Sequence, residues 1–428
     1  MARRFVNWAG TVRSRPREWA APALEAEVAE RVAASPGRRI RVVGAGHSWS
    51  ALAAPDDLAL CLDQLAGLVA VDVAAGLATV RAGTRLRDLS AALAARGLAL
   101  PIVGSVAAQA VAGLIATGTH GSSLVHGNLS SLVRGLRLVD GRGQVVTIGA
   151  GDPRLDGARC HLGALGVITE VTLPVEPAFR LAETIEPVPI TRLAAALPAI
   201  ARSSEYVKAW WLPHTRDALV YRYQRTDEPT STRPDPARQR WIDEHVLHRL
   251  VFPAMMQLHR VRPLVPPLTR LVARTLRQPR RVGPSTLMLS TPMPARHRET
   301  EAALPLAEAG EAVERTVGLL TRERLAVAWP LEIRFVRADS GWLSPAHGGD
   351  TCQLGAYSSG ADTDRYFAGF WRELAGLHAR PHWGKELRHG VDEVRAAWPE
   401  LPRFLALRDA LDPTRRFTGP AQAAVLGP

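Results

Sequence analysis

The chain has 428 residues, of which 46% are hydrophobic and 22% are charged, and it carries a formal net charge of +12. This composition is typical of a globular protein with core enough for two domains, and it excludes disordered and collagen-like classes. The basic residues are scattered and mixed with acids rather than gathered in blocks, so we expect no nucleic-acid partner.

The N-terminal part of the chain predicts a helix followed by several strands. Leu24, Val28 and Val32 recur at helical spacing, and Pro36-Gly37 ends that run. Strands are predicted next over residues 40–43, 58–62, 69–73 and 77–80, the last two as a hairpin.

A second helix and a glycine-rich segment follow. Thr84 is predicted to be the N-cap of a helix with an apolar stripe that begins at Leu86, and Gly97 closes it. Residues 104–121 are then rich in glycine and alanine. Further strands are predicted over residues 134–139 and 144–148 and in a run that ends at Leu173.

A boundary between two domains is predicted at Pro174 and Pro177, where the sequence becomes rich in proline and arginine. Beyond it, residues 241–281 mix basic and apolar side chains, which would suit a membrane-surface segment. Helices that cover a domain or a subunit interface are favoured instead, because prolines interrupt the run.

The turn at residues 44–50, GAGHSWS, lies where a predicted strand ends. Glycines at such a point let backbone N–H groups approach a phosphate closely, so the turn is a candidate phosphate cradle. It is neither a dinucleotide fingerprint, because Trp49 replaces the third glycine, nor a P-loop. The alternative is a simple tight turn in which His47 is an ordinary hydrogen-bonded residue.

Two more glycine-rich segments lie in the same predicted domain, at residues 113–123 and 163–169. The first alternates small and hydroxyl side chains without a hydrophobic period, so it would pack poorly as core. Its hydroxyls and main-chain amides suit a flat or charged ligand, although a purely structural loop is the alternative. Three such turns in one domain suit an extended ligand that lies across strand ends.

Five segments together resemble the vanillyl-alcohol-oxidase flavoprotein family. Within it, they are most similar to the sugar-lactone and alditol oxidase branch, which includes D-arabinono-1,4-lactone oxidases. The five segments are GAGHSWS (44–50), ATGTHG (116–121), GALGVIT (163–169), PLEIRF (330–335) and RPHWGK (380–385). The resemblance implies an α+β fold of two domains. An FAD-binding (PCMH-type) domain is expected at residues 1–176, and a substrate (cap) domain on a large antiparallel sheet at residues 177–395. A C-terminal segment, residues 396–428, is expected to return to the FAD domain.

The same resemblance implies a bound FAD that is joined covalently to His47. A neutral imidazole is nucleophilic, and a rigid glycine turn can hold it against the flavin methyl group. A single link is expected, because residues 101–105, PIVGS, contain no cysteine. The cofactor-binding residues implied are Val43, Gly44, Ala45, Gly46, His47, Ser48, Trp49, Gly104, Ser105, Gly113, Thr117, Gly118, Thr119, His120, Gly121, Gly166, Val167, Ile168, His382 and Lys385.

Glu332 and Arg334 alternate with Ile333 and Phe335, so the period of a strand places the acid and the guanidinium on one face. A surface ion pair is the plain interpretation of the two residues alone. The resemblance implies instead that they bind a polyol or hydroxy acid through charge-assisted hydrogen bonds.

Lys385 corresponds to a lysine that this family places near the substrate, and the chain has only one other lysine, Lys208. A desolvated lysine beside Arg334 can take the hydroxyl proton while hydride goes to flavin N5. The sequence does not separate Lys385 from Glu332 as the proton acceptor.

The resemblance also implies substrate contacts. Ser105 matches a position that hydrogen-bonds the substrate, and Gly104 matches one where a small residue is associated with oxygen access, which favours an oxidase that uses molecular oxygen. The catalytic residues implied are Lys385, Glu332, Arg334 and Ser105. The substrate-binding residues implied are Ser105, Glu332, Arg334, His347, Tyr357 and Lys385.

His347 and Tyr357 depart from the side chains that relatives carry at these positions, so a bulkier and more aromatic pocket is expected. The main expectation is an FAD-dependent oxidase of a small hydroxy compound. The alternative is a secondary-metabolite tailoring oxidase that acts on a bulky hydroxy acid or alcohol, including oxidative decarboxylation. A basic binding protein that keeps the flavin fold without turnover is a further alternative, against which intact Glu332, Arg334 and Lys385 argue.

Cys61, Cys160 and Cys352 lie far apart without CxxC spacing, which predicts free thiols and no metal cluster. The basic N-terminus is not followed by an apolar segment of signal-peptide length. Polar residues and glycine interrupt the most apolar stretch, residues 101–117. We therefore expect a cytoplasmic protein without an integral membrane segment.

Overall fold

The computed structural model describes residues 4–231, 257–258, 261–290 and 295–428. Within these residues the chain forms five β-sheets and the helices that cover them. The strands are β1 (Phe5–Val6), β2 (Arg13–Ser14), β3 (Glu18–Ala20), β4 (Ile40–Val43), β5 (Leu58–Cys61), β6 (Leu68–Asp72), β7 (Leu77–Arg81), β8 (Leu98–Ala99), β9 (Gly135–Val139), β10 (Val145–Ile148), β11 (Val167–Pro174), β12 (Glu176–Pro177), β13 (Arg180–Pro189), β14 (Tyr206–Trp211), β15 (Asp217–Thr226), β16 (Arg281–Pro284), β17 (Arg298–Pro305), β18 (Leu331–Val336), β19 (Thr351–Ser358) and β20 (Arg380–Pro381).

The α-helices of the described residues pack on these sheets or at their edges. They are α1 (Glu25–Ala33), α2 (Leu86–Ala94), α3 (Val111–Ala116), α4 (Leu155–Ala158), α5 (Ile190–Ala201), α6 (Val265–Thr275), α7 (Ser285–Leu289), α8 (Ala309–Arg322), α9 (Thr363–Glu373), α10 (Val391–Ala397), α11 (Leu401–Leu411) and α12 (Pro420–Leu426).

The first domain contains a parallel sheet in the order β3-β5-β4 and an antiparallel sheet in the order β10-β9-β11-β7-β6. Every residue of β5 is buried, as is typical of the central strand of a parallel sheet. Val28 and Val32 of α1 are fully buried in the same core. The strands predicted over residues 40–43, 58–62, 69–73 and 77–80 are confirmed, with ends that move by no more than one residue.

The predicted N-cap at Thr84 is wrong, although the helix after it is present as α2. The helix begins one residue later, behind Arg85, and no side chain caps it. The Thr84 hydroxyl donates to the carbonyl of Arg81 at 2.7 Å and accepts the N–H of Gly67 at 2.9 Å. It is therefore used by the turn that follows β7.

The second domain is built on an eight-stranded antiparallel sheet in the order β16-β13-β15-β14-β18-β19-β17-β20. Leu331, Ile333 and Phe335 of β18 are fully buried in a core formed with α5, α8 and α9. Glu332 and Arg334 project from the opposite face, where they form an ion pair. The alternation predicted for this strand is confirmed.

That opposite face of the large sheet packs against the first domain. Tyr206, Leu219 and Tyr223 belong to the same buried core as the strands of the first domain. The Tyr206 hydroxyl donates to the carbonyl of Pro101 at 2.6 Å. Side chains on this face therefore point toward the junction of the two domains.

The C-terminal helices contribute to the core of the first domain rather than to that of the second. The Ile40 N–H at the start of β4 donates to the carbonyl of Arg416 at 2.8 Å. The Arg416 guanidinium donates to the carbonyls of Gly141 at 2.9 Å and Val32 at 2.8 Å. These contacts fix the end of the chain beside β4.

Part of the segment 241–281, namely residues 241–256 and 259–260, lies outside the described residues. In its described end, Arg277 pairs with Asp217 at 2.9 Å and Arg281 pairs with Glu183 at 2.5 Å. These ion pairs attach the described end of the segment to the large sheet, to which Arg281 itself belongs as the first residue of β16. Among the helices in the described ranges, none combines the length and apolarity needed to cross a bilayer.

Candidate active site

Two cavities meet where the first domain faces the large sheet. The larger has a volume of about 660 Å³ and the smaller about 110 Å³. His47, Ser48, Gln109 and Thr117 line both. Because the smaller cavity is lined by the first domain alone and the larger by both domains, a ligand that fills both extends from the first domain to the sheet.

The smaller cavity follows the glycine-rich turns. Gly44 and Gly46, which follow β4, line it together with Gly113 of α3 and Gly166. A Cβ atom at Gly113 would meet no protein atom within 4 Å, so packing does not require a glycine here. The position opens onto the cavity. Gly46 has a φ of +68°, a conformation that favours glycine. Bare backbone on several sides fits an extended, phosphate-bearing ligand.

Most of the predicted cofactor-binding residues line one cavity or both. They are Val43, Gly44, Ala45, Gly46, His47, Ser48, Trp49, Ser105, Gly113, Thr117, Thr119, His120, Gly166, Ile168, His382 and Lys385. Those that line neither cavity are Gly104, Gly118, Gly121 and Val167.

Close packing behind the cavity wall accounts for two of these glycines. A Cβ atom at Gly121 would lie 2.7 Å from the backbone oxygen of Val103, and one at Gly104 would lie 2.9 Å from the Thr119 methyl group. Gly104 and Gly121 therefore lie in the wall behind the cavity, whereas Thr119 lines the cavity itself.

His47 lies at the junction of the two cavities, both of which it lines. Its ring stacks on Trp8 with centroids 5.9 Å apart and an interplanar angle of 29°. Burial lowers the pKa of His47, and the positive charge of Arg85 lowers it further. The ring is therefore neutral at neutral pH, with a nitrogen available as a nucleophile.

The floor of the larger cavity is a hydrogen-bonded group on the sheet face. Arg334 Nη2 lies 2.7 Å from Glu332 Oε1 and 2.6 Å from Ser105 Oγ. Trp210 Nε1 donates to Glu332 Oε1 at 2.7 Å, and the Tyr357 hydroxyl donates to Glu332 Oε2 at 2.5 Å. The predicted residues Ser105, Glu332, Arg334 and Tyr357 are thus brought together.

The carboxylate of Glu332 is held in its ionised form. Burial alone would raise its pKa, but the charges of Arg334 and Lys208 and the hydrogen bonds it accepts lower the pKa to about 2. Lys208 pairs in register with Arg334, and its Nζ lies 4.6 Å from the centre of the Trp210 ring. Burial lowers the pKa of Lys208 to about 8.

The sequence-based interpretation placed Lys385 beside Arg334, whereas in the structure Lys385 pairs with acids of β17 and Arg334 pairs with Glu332. Its Nζ lies 2.5 Å from Glu299 Oε2, 3.6 Å from Glu301 Oε2 and 4.5 Å from the centre of the Trp49 ring. Two buried carboxylates therefore face this ammonium group, which places a compensated positive charge at this end of the cavity.

Glu301 connects Lys385 to two buried histidines. Its Oε1 lies 2.6 Å from His120 Nε2. Burial alone would raise the pKa of Glu301, but the charges of His120 and Lys385 hold it well below its usual range. Burial lowers the pKa of His382 to about 3, so this ring is neutral.

The donor types of His120, Glu301 and His382 would suit a metal ion. However, the Gly384 N–H donates to His382 Nδ1 at 2.9 Å, so the proton of the neutral ring is on Nε2. That nitrogen is then a donor rather than a metal ligand. His120 hydrogen-bonds the Glu301 carboxylate, and the backbone N–H of His382 donates to the carbonyl of Glu301 at 3.0 Å.

The prediction that His347 binds substrate is wrong, because this residue does not line either cavity. It lies in a compact turn, where its Nδ1 is 3.1 Å from the carbonyl of Gly341 and its own carbonyl accepts a hydrogen bond from Arg380 at 2.8 Å. Contacts within the turn and to Arg380 hold it away from the sheet face.

Sequence reasoning missed several residues that line the larger cavity, among them Trp8, His297, Glu299 and Glu301. Glu299 and Glu301 alternate in β17 with the period of a strand, and that signal could have identified them. Trp8 and His297 belong to no recognisable pattern. All three cysteines are free and buried, as predicted.

Comparison with known proteins agrees with this geometry. An FAD binding domain family matches residues 16–149, and the D-arabinono-1,4-lactone oxidase family matches residues 171–424. The chain is 33% identical to an L-gulono-1,4-lactone dehydrogenase of Mycobacterium tuberculosis, over 99% of both chains. It is also 33% identical to an alditol oxidase of Streptomyces, over 98% of both.

The fold is that of cholesterol oxidase from Brevibacterium sterolicum, with a TM-score of 0.84 at 17% identity over 99% of this chain and 96% of the other. Fold and cavities define a two-domain α+β flavoprotein of the vanillyl-alcohol-oxidase type, as predicted. The chain belongs to the D-arabinono-1,4-lactone oxidase family, whose members are FAD-dependent oxidoreductases that act on CH–OH donors.

Proposed function

We propose that this protein oxidises a CH–OH group of a sugar lactone, an alditol or a related small hydroxy compound, with molecular oxygen as final acceptor and hydrogen peroxide as product. The observation that supports this most strongly is the buried Glu332–Arg334 pair in a cavity that adjoins the glycine-lined cradle. The relatives named as a lactone dehydrogenase and an alditol oxidase support the same reaction class.

FAD, when bound, supplies the acceptor for the hydride that leaves the substrate carbon. The turn at residues 44–46, Gly113 and Gly166 would hold its phosphate-bearing part, because they line the narrow cavity. We propose His47 as the covalent attachment point, since its neutral ring lies where the two cavities meet.

Arg334 and Ser105 would hold the reacting oxygen of the substrate. Arg334 Nε is buried and has no hydrogen-bond partner among the described residues, so it can donate to a ligand. A guanidinium fixed in a buried site stabilises the partial negative charge of the carbonyl oxygen that remains once hydride and proton have left.

Glu332 is our proposed proton acceptor. As hydride leaves the carbon, the remaining proton on oxygen becomes strongly acidic, so even a carboxylate of low basicity can take it. Lys385 is held by Glu299 and Glu301 and supplies a second positive charge to the cavity. Its contacts favour a positioning and electrostatic role.

A second candidate is oxidation of a bulky hydroxy acid or alcohol, including oxidative decarboxylation, as in tailoring of a secondary metabolite. The aromatic side chains of Trp8, Trp49 and Tyr357 line the larger cavity and favour a ligand with a substantial apolar surface.

The test is anaerobic mixing of the flavin-loaded protein with xylitol, L-gulono-1,4-lactone or mandelate, followed by flavin absorbance. Bleaching by xylitol or the lactone is expected. Bleaching by mandelate alone would favour the second candidate, and no bleaching by any hydroxy compound would overturn the proposed function.

The electron acceptor requires a separate measurement. Protein reduced by substrate should regain its colour on exposure to air and release about one hydrogen peroxide per flavin, as the two-electron chemistry requires. Reoxidation by an artificial dye but not by air would show that molecular oxygen is not the acceptor.

A further inference from the structure

Two polar side chains of the larger cavity have no contact with the substrate in the mechanism above. Glu299 is the second residue of β17, and His297 immediately precedes that strand. Both are buried, with exposed fractions of 1% and 3%, and both line the cavity. They are therefore in place to contact the substrate.

Each of these residues presents an acceptor atom that has no hydrogen-bond partner within the described residues, Glu299 Oε1 and His297 Nε2. The other carboxylate oxygen of Glu299 pairs with Lys385. His297 Nδ1 lies 2.9 Å from the carbonyl of Ala295, so it carries the ring proton and leaves Nε2 as an acceptor in the neutral ring. Buried acceptors without partners are costly and uncommon, which indicates that a ligand supplies the missing donors.

The His297 ring is fixed in this orientation. Its centroid lies 5.3 Å from those of Trp8 and Trp49, 4.6 Å from that of Trp329 and 5.2 Å from that of Tyr357. Its Nε2 lies 3.9 Å from Glu299 Oε2, so the two residues serve neighbouring positions of one ligand. A packed ring with a directed acceptor is a preorganised binding element.

We propose that Glu299 and His297 form a second substrate subsite, which accepts hydrogen bonds from two hydroxyl groups beyond the carbon that is oxidised. The cavity then selects a neutral, polyhydroxylated chain. This inference rests on the proposed function and specifies its substrate class.

The charges of the cavity argue for hydroxyl donors and against a substrate carboxylate. Glu299, Glu301 and Glu332 line the cavity with Arg334 and Lys385, and both cations are already paired with these acids. A carboxylate placed against Glu299 and His297 would meet two acceptors and no donor, a costly arrangement in a buried site. A hydroxyl group satisfies either acceptor.

The experiment measures dissociation constants of the flavin-loaded protein for three five-carbon probes, from the perturbation of flavin absorbance recorded anaerobically by stopped flow before any bleaching. The probes are xylitol, 1-pentanol and xylonate, which differ in hydroxyl number and charge. The variants are Glu299→Gln, which keeps the shape of the side chain, and His297→Phe, which keeps the packed ring. Glu183→Gln is the matched control, because Glu183 is a buried acid of the same sheet, paired with Arg281, that does not line the cavity.

We expect each of the two variants to weaken xylitol binding about tenfold while 1-pentanol binding changes less than about twofold, since a single buried hydrogen bond is at stake. Glu299→Gln should at the same time tighten xylonate binding, because it removes the opposing charge. The control should bind all three probes as the parent does. Flavin content of each variant reports that it is folded.

Equal weakening of xylitol and 1-pentanol would overturn the subsite, because it would show that Glu299 only positions Lys385. Unchanged xylitol binding by His297→Phe, or no xylitol binding by the parent, would overturn it too.

Failure of the proposed function is read separately. If xylitol binds as expected but never bleaches the flavin, the subsite stands and oxidation is wrong. If xylitol bleaches the flavin with the same dissociation constant in every variant, oxidation stands and the subsite is wrong.

Discussion

At the scale of single residues, His47 owes its proposed reactivity to its surroundings. Burial and the charge of Arg85 lower its pKa, so the ring is neutral at neutral pH and above. We expect His47→Ala to fold and bind FAD without a covalent bond. After acid precipitation the yellow colour should move from the pellet to the supernatant. His378→Ala, which alters a side chain that is 82% exposed, should leave the colour in the pellet. A yellow pellet from His47→Ala would refute the link.

Lys385 differs from His47 because its removal is expected to affect both flavin reduction and stability. Lys385→Met leaves Glu299 and Glu301 buried without their ammonium partner. We expect slower anaerobic flavin reduction and a loss of about 3 kcal/mol in the free energy of unfolding, as for other broken buried pairs. Stopped-flow reduction and urea denaturation check the two effects. An unchanged reduction rate would remove Lys385 from the mechanism.

Glu332 should give the protein a stability that depends on pH. Its pKa is about 2 in the folded protein, against an ordinary value of 4.5. Because the folded value is lowered, this stabilisation is complete above about pH 4.5 and is lost as the pH falls toward 2. We expect the difference in Tm between the parent and Glu332→Gln to shrink over that interval. A difference that is constant from pH 6 to pH 3 would contradict the assignment.

These residues also show what sequence can and cannot predict at a site. The alternation of Glu332 and Arg334 is local, so the period of a strand was enough to place them together. Glu299 reaches the same cavity because β17 pairs with β19, where Glu299 lies opposite Tyr357. The alternation of Glu299 and Glu301 is local, but the pairing of β17 with β19 joins distant parts of the chain, so the alternation alone does not show which cavity the two acids reach. His297 depends in the same way on aromatic residues from four separate segments.

At the scale of elements, β19 is a strand where added volume would disturb the hydrogen bonds of the site. Gly355 lies opposite Glu332 on one side and Glu301 on the other. A Cβ atom there would lie 3.1 Å from Tyr357 Cε2 and 3.7 Å from Glu332 Cβ. A larger side chain therefore pushes the Tyr357 ring from its hydrogen bond with Glu332.

We expect Gly355→Val to weaken substrate binding about tenfold, which corresponds to one lost hydrogen bond, while FAD is retained. The control is Ala356→Gly, because Ala356 points into the core on the other face. That variant should lose about 1 kcal/mol of stability and bind substrate as the parent does. Titration of flavin absorbance with substrate checks both. Equal binding by the parent and Gly355→Val would contradict this account.

Elements were predicted best where burial follows a simple period. The strands of the first domain have continuous or alternating apolar residues, and their bounds were nearly right. Thr84 was assigned wrongly because its hydroxyl accepts the N–H of Gly67 in the turn after β7. The apolar period that predicted the helix carries no information about that turn. His347 was assigned wrongly because the short segment around it folds into a turn, in which the His347 ring contacts the carbonyl of Gly341.

At the scale of the whole molecule, the C-terminal segment closes the fold against the strand that leads into the cradle. Arg416 donates to carbonyls of Val32, Ser35 and Gly141, all in the first domain. Arg416→Ala leaves these buried acceptors unpaired. We expect a loss of about 2 kcal/mol in the free energy of unfolding and reduced FAD content.

Urea denaturation and the ratio of flavin to protein absorbance check this expectation. Arg395→Ala is the control, because that side chain is 64% exposed and its ion pair is with Asp392, three residues earlier in the same helix. An unchanged unfolding midpoint for Arg416→Ala would show that the C-terminal segment does not stabilise the first domain.

The alternating faces of the large sheet have a consequence for how this protein can change. Residues 332, 334, 353, 355 and 357 face the domain junction, whereas residues 331, 333, 352, 354 and 356 face the helices. A library of variants restricted to the first set would explore new substrates without touching the second core. A single-residue insertion within β18 would exchange the two sets and disturb both at once. The substrate specificity of this fold can therefore be changed by substitution of residues on the junction face, but not by insertion of a residue within a strand.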